Sequence, residues 1–234
     1  MQRSDVGWFV FAYVGLTAVW YLLGRAILAS DFVVRADTDA AGWFVDRRTP
    51  GLDHWTAIGS ALSGTSIKIV ATILIAMVMA VLWRRWAEPM LIVLPLILEA
   101  MVFITVTWIV GRPRPDVPRL EDSPVGSSFP SGHAAAAAVY SALLIVVFLH
   151  TRRSWIRVLF SILTVSVALI VGLSRAYRGM HHVTDVVAGY ALGAVSIAFC
   201  WWLVQRVVTR NEETTWEPPI EVTEPEEIQV AHGG

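Results

Sequence analysis

The stretch Phe129-Pro130-Ser131-Gly132-His133 stands directly before an apolar run. Pro130 stops the preceding loop, Ser131 is a good helix N-cap, and Gly132 lets a ligand approach the backbone closely. A helix starting there turns free N–H groups and the positive end of its dipole outward, which suits a bound anion. His133 stands beside that anion, placed to give it a proton. A second stretch, Ser174 to Asp185, holds Arg175, Arg178, His181 and His182. His181 and Asp185 are four apart and share one face if a helix begins near Gly179. A carboxylate against one ring nitrogen fixes the tautomer and leaves the other nitrogen as a nucleophile. Arg175 can present a planar fork of donors to phosphate oxygens. His182 falls on a different azimuth. A third stretch, Gly111 to Asp116, sets Arg112 and Arg114 beside Pro113 and Pro115, which deny a regular helix and aim the two guanidiniums rigidly. Each stretch alone also has a plain structural reading, as a helix cap, an interfacial His–Asp bond or headgroup-anchoring arginines. The reading as one oxyanion site rests on their meeting at one face.

Strongly apolar elements must position these residues. Of 234 residues, 56% are hydrophobic and 16% charged, against roughly 25% charged in soluble domains. Six segments, near 8–28, 67–83, 90–110, 134–149, 156–173 and 183–207, are long enough to cross a bilayer. A crossing takes about 20 apolar residues, or somewhat fewer where flanking side chains reach the interface. The expectation is an all-α integral membrane protein, a six-transmembrane-helix bundle with the three stretches at one end. The first segment also reads as a signal peptide with a cleavage site at 26–29, although its positive region is thin and its apolar run long. Eleven tryptophans suit a chain with two membrane interfaces to line. The loop 29–66 places Trp43, Phe44 and Trp55 among polar residues, which predicts a short helix lying in the interface.

Arg3, Arg84, Arg85, Arg152, Arg153, Arg157, Arg206 and Arg210 fall on one side if the six helices alternate. That side is then cytoplasmic, and the three stretches face outside the cytoplasm. The other side carries arginines too, but mixed with acidic residues. Residues 211–234 hold seven of the 19 acidic side chains and none of the 18 basic ones. They read as an acidic, disordered cytoplasmic tail on a membrane domain of residues 1–210. The single cysteine, Cys200, excludes a disulfide framework and a Cys-based zinc site. The scattered basic residues give a nucleic-acid partner no support.

Taken together, the motifs resemble the type 2 phosphatidic acid phosphatase superfamily, which includes lipid phosphatases and vanadium haloperoxidases. Its pattern is KxxxxxxRP, PSGH and SRxxxxxHxxxD. This chain has PSGH intact at 130–133, SRxxxxxHxxxD intact as Ser174, Arg175, His181 and Asp185, and the RP as Arg114-Pro115. The resemblance implies a two-step phosphoryl transfer through a phosphohistidine. His181 attacks phosphorus and Asp185 orients it. Arg114, Arg175, Ser131 and the Gly132 N–H hold the phosphoryl oxygens, and His133 protonates the leaving group. It implies no metal and no other cofactor. The implied partner is a lipid phosphate in the bilayer: a prenyl diphosphate, phosphatidate or phosphatidylglycerol phosphate. The implied place is the cell membrane, with the site outside the cytoplasm. A lipid phosphotransferase using the same residues, or a catalytically weakened phospholipid-binding protein, remains an alternative. A haloperoxidase would be soluble, which six apolar spans oppose.

One position departs from the pattern. The family's phosphate-binding lysine falls on Thr107. The chain's one lysine, Lys68, lies at the outer end of the second span, where an ammonium is costly unless it snorkels or meets an anion. It is the candidate to supply the missing charge, with Arg112 and Arg178 next. Glu99, about 12 Å below Thr107 at 1.5 Å per residue, is expected to face the bundle interior in a structural hydrogen bond.

Overall fold

The computed structural model describes residues 2–122 and 126–215. The described chain forms α1 (Arg3–Ala29), α2 (Asp31–Val45), α3 (Pro50–Ala61), α4 (Thr65–Trp83), α5 (Ala87–Val110), α6 (Gly132–Val139), α7 (Ala142–His150), α8 (Ser154–Tyr177) and α9 (Val183–Thr215). Six spans are long and apolar enough to cross a membrane: α1, α4, α5, α6 together with α7, α8, and α9 up to Asn211. The protein is the six-helix membrane bundle its sequence leads one to expect. Its outer helices are apolar on the outside. Val70, Leu74, Val81 and Leu82 of α4 and Leu159, Ile162 and Leu169 of α8 are exposed, as suits faces that meet lipid rather than water.

The centre is built from α5, α6 and α9, and small residues explain why. Gly189 and Gly193 lie four apart on one face of α9, against the alanine run of α6. A Cβ at Gly193 would stand 2.7 Å from the Cβ of Ala138, and one at Gly189 would collide with the Ser131 carbonyl oxygen. No side chain fits at either position, so the two backbones approach closely. Trp20 of α1 donates from Nε1 to the Ala188 carbonyl at 3.0 Å, closing the bundle on that side. The result sets the start of α6 beside the start of α9.

The excursion 29–66 is two helices rather than the one short helix expected. Each has a cap the sequence supplies: Ser30 Oγ accepts from the Val33 N–H, and Thr49 Oγ1 accepts from the Leu52 N–H with Pro50 just inside the helix. The turn between them is fastened to the end of α8. Arg48 donates to the Tyr177 carbonyl at 3.0 Å and to the Pro118 carbonyl at 2.6 Å, and Tyr177 Oη donates to Asp53 Oδ1 at 2.8 Å.

At the opposite end, Arg210 donates to both carboxylate oxygens of Asp5, at 2.9 and 2.7 Å. This bidentate pair ties α9 to α1. Residues 211–215, expected in the tail, continue α9; the expected disordered tail over 216–234 lies outside the described residues. Cys200 is buried in α9.

Candidate active site

His181 lies in the turn between α8 and α9, before the first residue of α9. The turn is tight. Gly179 has φ +71°, a left-handed conformation that glycine adopts without strain, and the N–H groups of Met180 and His181 both donate back to the Arg175 carbonyl. The imidazole is buried, with Nδ1 2.7 Å from the Ser128 carbonyl oxygen. A carbonyl only accepts, so Nδ1 carries the proton and Nε2 keeps its lone pair. Burial, then the charges of Arg175 and Arg114, hold this histidine well below the ordinary range and keep it neutral. The group that orients it is therefore Ser128. Ser128 is itself fixed, its N–H on the Arg112 carbonyl and its Oγ on the Pro113 carbonyl.

Asp185 was expected to orient His181 from the same helix face. The structure corrects this. Because α9 begins at Val183, His181 is not on that helix, and Asp185 Oδ2 stands 3.9 Å from Nδ1, beyond hydrogen-bond reach. The carboxylate instead accepts from Arg112 Nη1 at 2.6 Å and from the His182 N–H at 2.8 Å. Its main chain reaches the second motif, where the Ser131 N–H donates to the Asp185 carbonyl at 2.9 Å. Asp185 thus acts as a staple between the start of α9 and the start of α6.

That also decides Arg112. It is only 2% exposed and sits between two carboxylates, with Nη2 on Asp37 Oδ2 at 2.7 Å and Nη1 on Asp185 Oδ1. Nη1 also donates to Thr184 Oγ1, which in turn donates to Asp37. Arg112 is committed to α2 and α9 and is not a spare phosphate-binding charge. Arg178 is committed as well: it donates to Glu121, to the Asp53 carbonyl at 2.9 Å and to the Leu120 carbonyl at 2.7 Å.

At the start of α6, Ser131 is the N-cap and accepts from the Ala134 N–H. Gly132 has a different reason from the one expected. A Cβ there would meet the Phe103 ring at 2.9 Å, so packing on α5 requires the glycine. Among the described residues, no hydrogen bond takes the N–H groups of Gly132 or His133, and both remain available at the positive helix end. His133 is half-buried, with its carbonyl accepting from Ser63 Oγ at 2.9 Å. The charges acting on its ring come from Arg175, Lys68, Glu121 and Arg114. Those acting on His181 come from Arg175, Arg114 and His133. The two histidines and two arginines therefore share one electrostatic neighbourhood. Arg114 donates to the Met180 carbonyl, beside His181. Burial, then repulsion from Arg175 and Arg119, brings it down to about 10, still charged at neutral pH.

Thr107, where the family pattern has lysine, is buried with Oγ1 3.4 Å from the Phe129 carbonyl. Lys68 stands on the first turn of α4, where its carbonyl accepts from Tyr140 Oη at 3.4 Å. Its charge acts on both His133 and Glu99. Glu99 is fully buried, but among the described residues neither carboxyl oxygen has a hydrogen-bond partner. The structural bond expected for it is not formed. Among the described residues there is also no group of three or more His, Cys, Asp or Glu side chains able to hold a metal.

Sequence spacing missed Ser128, Asp37, Glu121 and Ser60. None stands in a motif, and each arrives from a distant part of the chain to hold a motif residue.

The sequence profile of the PAP2 superfamily matches residues 88–209, which includes both histidines, Arg114 and Arg175. The chain belongs to the PAP2 superfamily. It is a multi-pass membrane protein and a phosphoric ester hydrolase of that family. A solved structure of a transmembrane PAP2-type phosphatidylglycerolphosphate phosphatase from Bacillus subtilis superposes with a TM-score of 0.71 at 27% identity, covering 86% of this chain and 97% of that one. Phosphatidylglycerophosphatase B of Bacillus subtilis is 28% identical over 182 residues, 75% of this chain and 86% of its own. The bacitracin transport permease protein BcrC of Bacillus licheniformis is 30% identical over 93 residues, 40% of this chain and 41% of its own.

Proposed function

We propose that this PAP2 protein removes the phosphate of a membrane lipid, a phosphomonoester or diphosphate headgroup, through a phosphohistidine on His181. One observation carries the reading: a neutral imidazole with its Nδ1 proton fixed on Ser128 and its Nε2 left in the field of Arg175 and Arg114. Nε2 attacks phosphorus and the P–O bond to the lipid breaks. His133 gives its proton to the departing oxygen. Arg175, Arg114 and the N–H groups at the start of α6 take the phosphoryl oxygens, each such donor being worth roughly a hundredfold or more in rate. Water then attacks the phosphoenzyme, His133 takes its proton, the P–N bond breaks and inorganic phosphate leaves. Asp185 and Ser131 keep the two histidine-bearing turns together. Lys68 supplies from α4 the charge that Thr107 lacks.

The substrate is an amphiphile: a prenyl diphosphate, phosphatidate or phosphatidylglycerol phosphate. Arg84, Arg85, Arg152 and Arg153 lie in the turns at the end opposite the site. By the positive-inside rule this supports a site facing outside the cytoplasm of the cell membrane.

The test is phosphate release from a panel of these three lipids by purified protein with EDTA present, alongside His181→Ala. Release that persists with chelator and is abolished in the variant is expected. Undiminished release by the variant contradicts the nucleophile, and transfer of phosphate to a second lipid would make the protein a phosphotransferase.

A further inference from the structure

Arg175 is held in an unusually one-sided way. Nη1 donates to Ser60 Oγ at 2.7 Å and to Glu121 Oε2 at 2.5 Å, so both of its N–H groups are used. Nε is buried and has no hydrogen-bond partner, and among the described residues none accepts from Nη2. The unused edge of the guanidinium, Nε with Nη2, carries the two parallel N–H groups that bind a phosphate bidentately. Glu121 is held from behind. Its Oε1 accepts from Arg178 Nε, and Arg178 is fixed on the Asp53 and Leu120 carbonyls. Ser60 comes from the last turn of α3 and is buried. Burial alone would raise the Glu121 carboxyl, but the charges of Arg175 and Arg178 and the hydrogen bond from Ser60 outweigh it and keep it ionised.

Building on the phosphatase reading, we propose that Glu121, with Ser60, is a positioning residue for phosphoryl transfer. By occupying both N–H groups of Arg175 Nη1, it turns the Nε–Nη2 edge toward the phosphorus attacked by His181. A carboxylate this close to a phosphate-binding arginine could act in the opposite sense, as an anion competing for the place of the phosphate. The two roles differ in sign. A positioning residue strengthens binding of the transition state, whereas a competitor weakens binding of every anion.

The experiment uses the full chain in detergent micelles with phosphatidate as substrate. Orthovanadate and inorganic phosphate serve as competitive inhibitors. Vanadate adopts the five-coordinate geometry of in-line transfer, and phosphate resembles the ground state. Inhibition constants do not depend on the fraction of active protein, so a general loss of fold leaves them unmoved. Glu121→Gln is expected to raise the vanadate constant on the order of tenfold, the size of a lost charge-assisted bond, and the phosphate constant by less. It is expected to lower kcat more than it changes KM. Ser60→Ala follows in the same direction and carries the comparison if Glu121→Gln aggregates. Adding Glu121→Gln to Arg175→Lys, which has no fork to aim, costs nothing further. Unchanged constants, additive losses, or tighter binding of both anions with a higher kcat/KM overturn the proposal. Equal phosphate release by wild type and His181→Ala overturns the phosphohistidine on His181, on which the proposal rests, instead.

Discussion

Arg112→Met removes the one cation between two buried carboxylates. Asp37 is 3% exposed, Asp185 is not exposed at all, and their oxygens lie 2.7 and 2.6 Å from the guanidinium. Even at the effective dielectric found near protein surfaces, each contact is worth about 4 kcal/mol in Coulomb terms before desolvation is subtracted. Removing one partner of a buried pair costs about 3–5 kcal/mol net, because the charge left behind stays buried. At about 2–4 °C per kcal/mol for a chain of this size, the expected fall in Tm is roughly 6–20 °C. The assay is thermal unfolding of the purified protein in detergent, followed by its tryptophan fluorescence. The folded fraction is expected to keep its KM for phosphatidate and lose kcat, because the start of α9 is no longer held. Adding Asp37→Asn restores part of the Tm by removing one stranded charge. An unchanged Tm with a KM raised at constant kcat would refute the reasoning, because it is what a phosphate-binding arginine would show.

Lys68→Met is expected to raise KM on the order of tenfold, the loss of one charge-assisted contact; Thr107→Lys in that background restores it, and failure to restore would detach Lys68 from the phosphate. Gly193→Leu drives a side chain into α6 at the Ala135 carbonyl and Ala138; a stability loss of about 1–3 kcal/mol or more, read as a lower Tm, is expected, and a wild-type Tm would contradict the close helix packing. Neutral His181, the proposed nucleophile, is present above its pKa and lost as pH falls through it. Since that pKa lies well below 6.5, kcat/KM followed between roughly pH 4 and 8 should hold at 6.5; an acid limb centred at 6.5 or above would contradict the assignment.

The six spans were legible because a bilayer needs a long apolar run, and that requirement acts on each segment separately. The histidines and arginines of the proposed site could be named in advance because the family's motifs set few residue types at fixed spacing, and the structure gathers His133, His181, Arg114 and Arg175 in one electrostatic neighbourhood. What was not legible depends on contacts between distant segments. Asp37 looks like any acidic residue of an interfacial helix until α2 delivers it to Arg112. Ser128 acts through its carbonyl, which leaves no mark on residue type. The i,i+4 spacing of His181 and Asp185 pointed to a shared helix face, but α9 begins two residues after His181, so the spacing became a capping turn instead. Gly132 suggested room for a ligand at the backbone; among the described residues its N–H does stay available, but the missing side chain is also required by Phe103, which fills the Cβ position.

The central claim is that His181 Nε2 takes the phosphoryl group. Rapid acid-free quenching of the protein with ³²P-labelled phosphatidate, followed by peptide mapping, tests it directly. The account predicts an alkali-stable, acid-labile label on His181 that builds up in His133→Ala, where hydrolysis of the phosphoenzyme is slowed. Label on another residue, or full turnover by His181→Ala with no labelled protein, would contradict it.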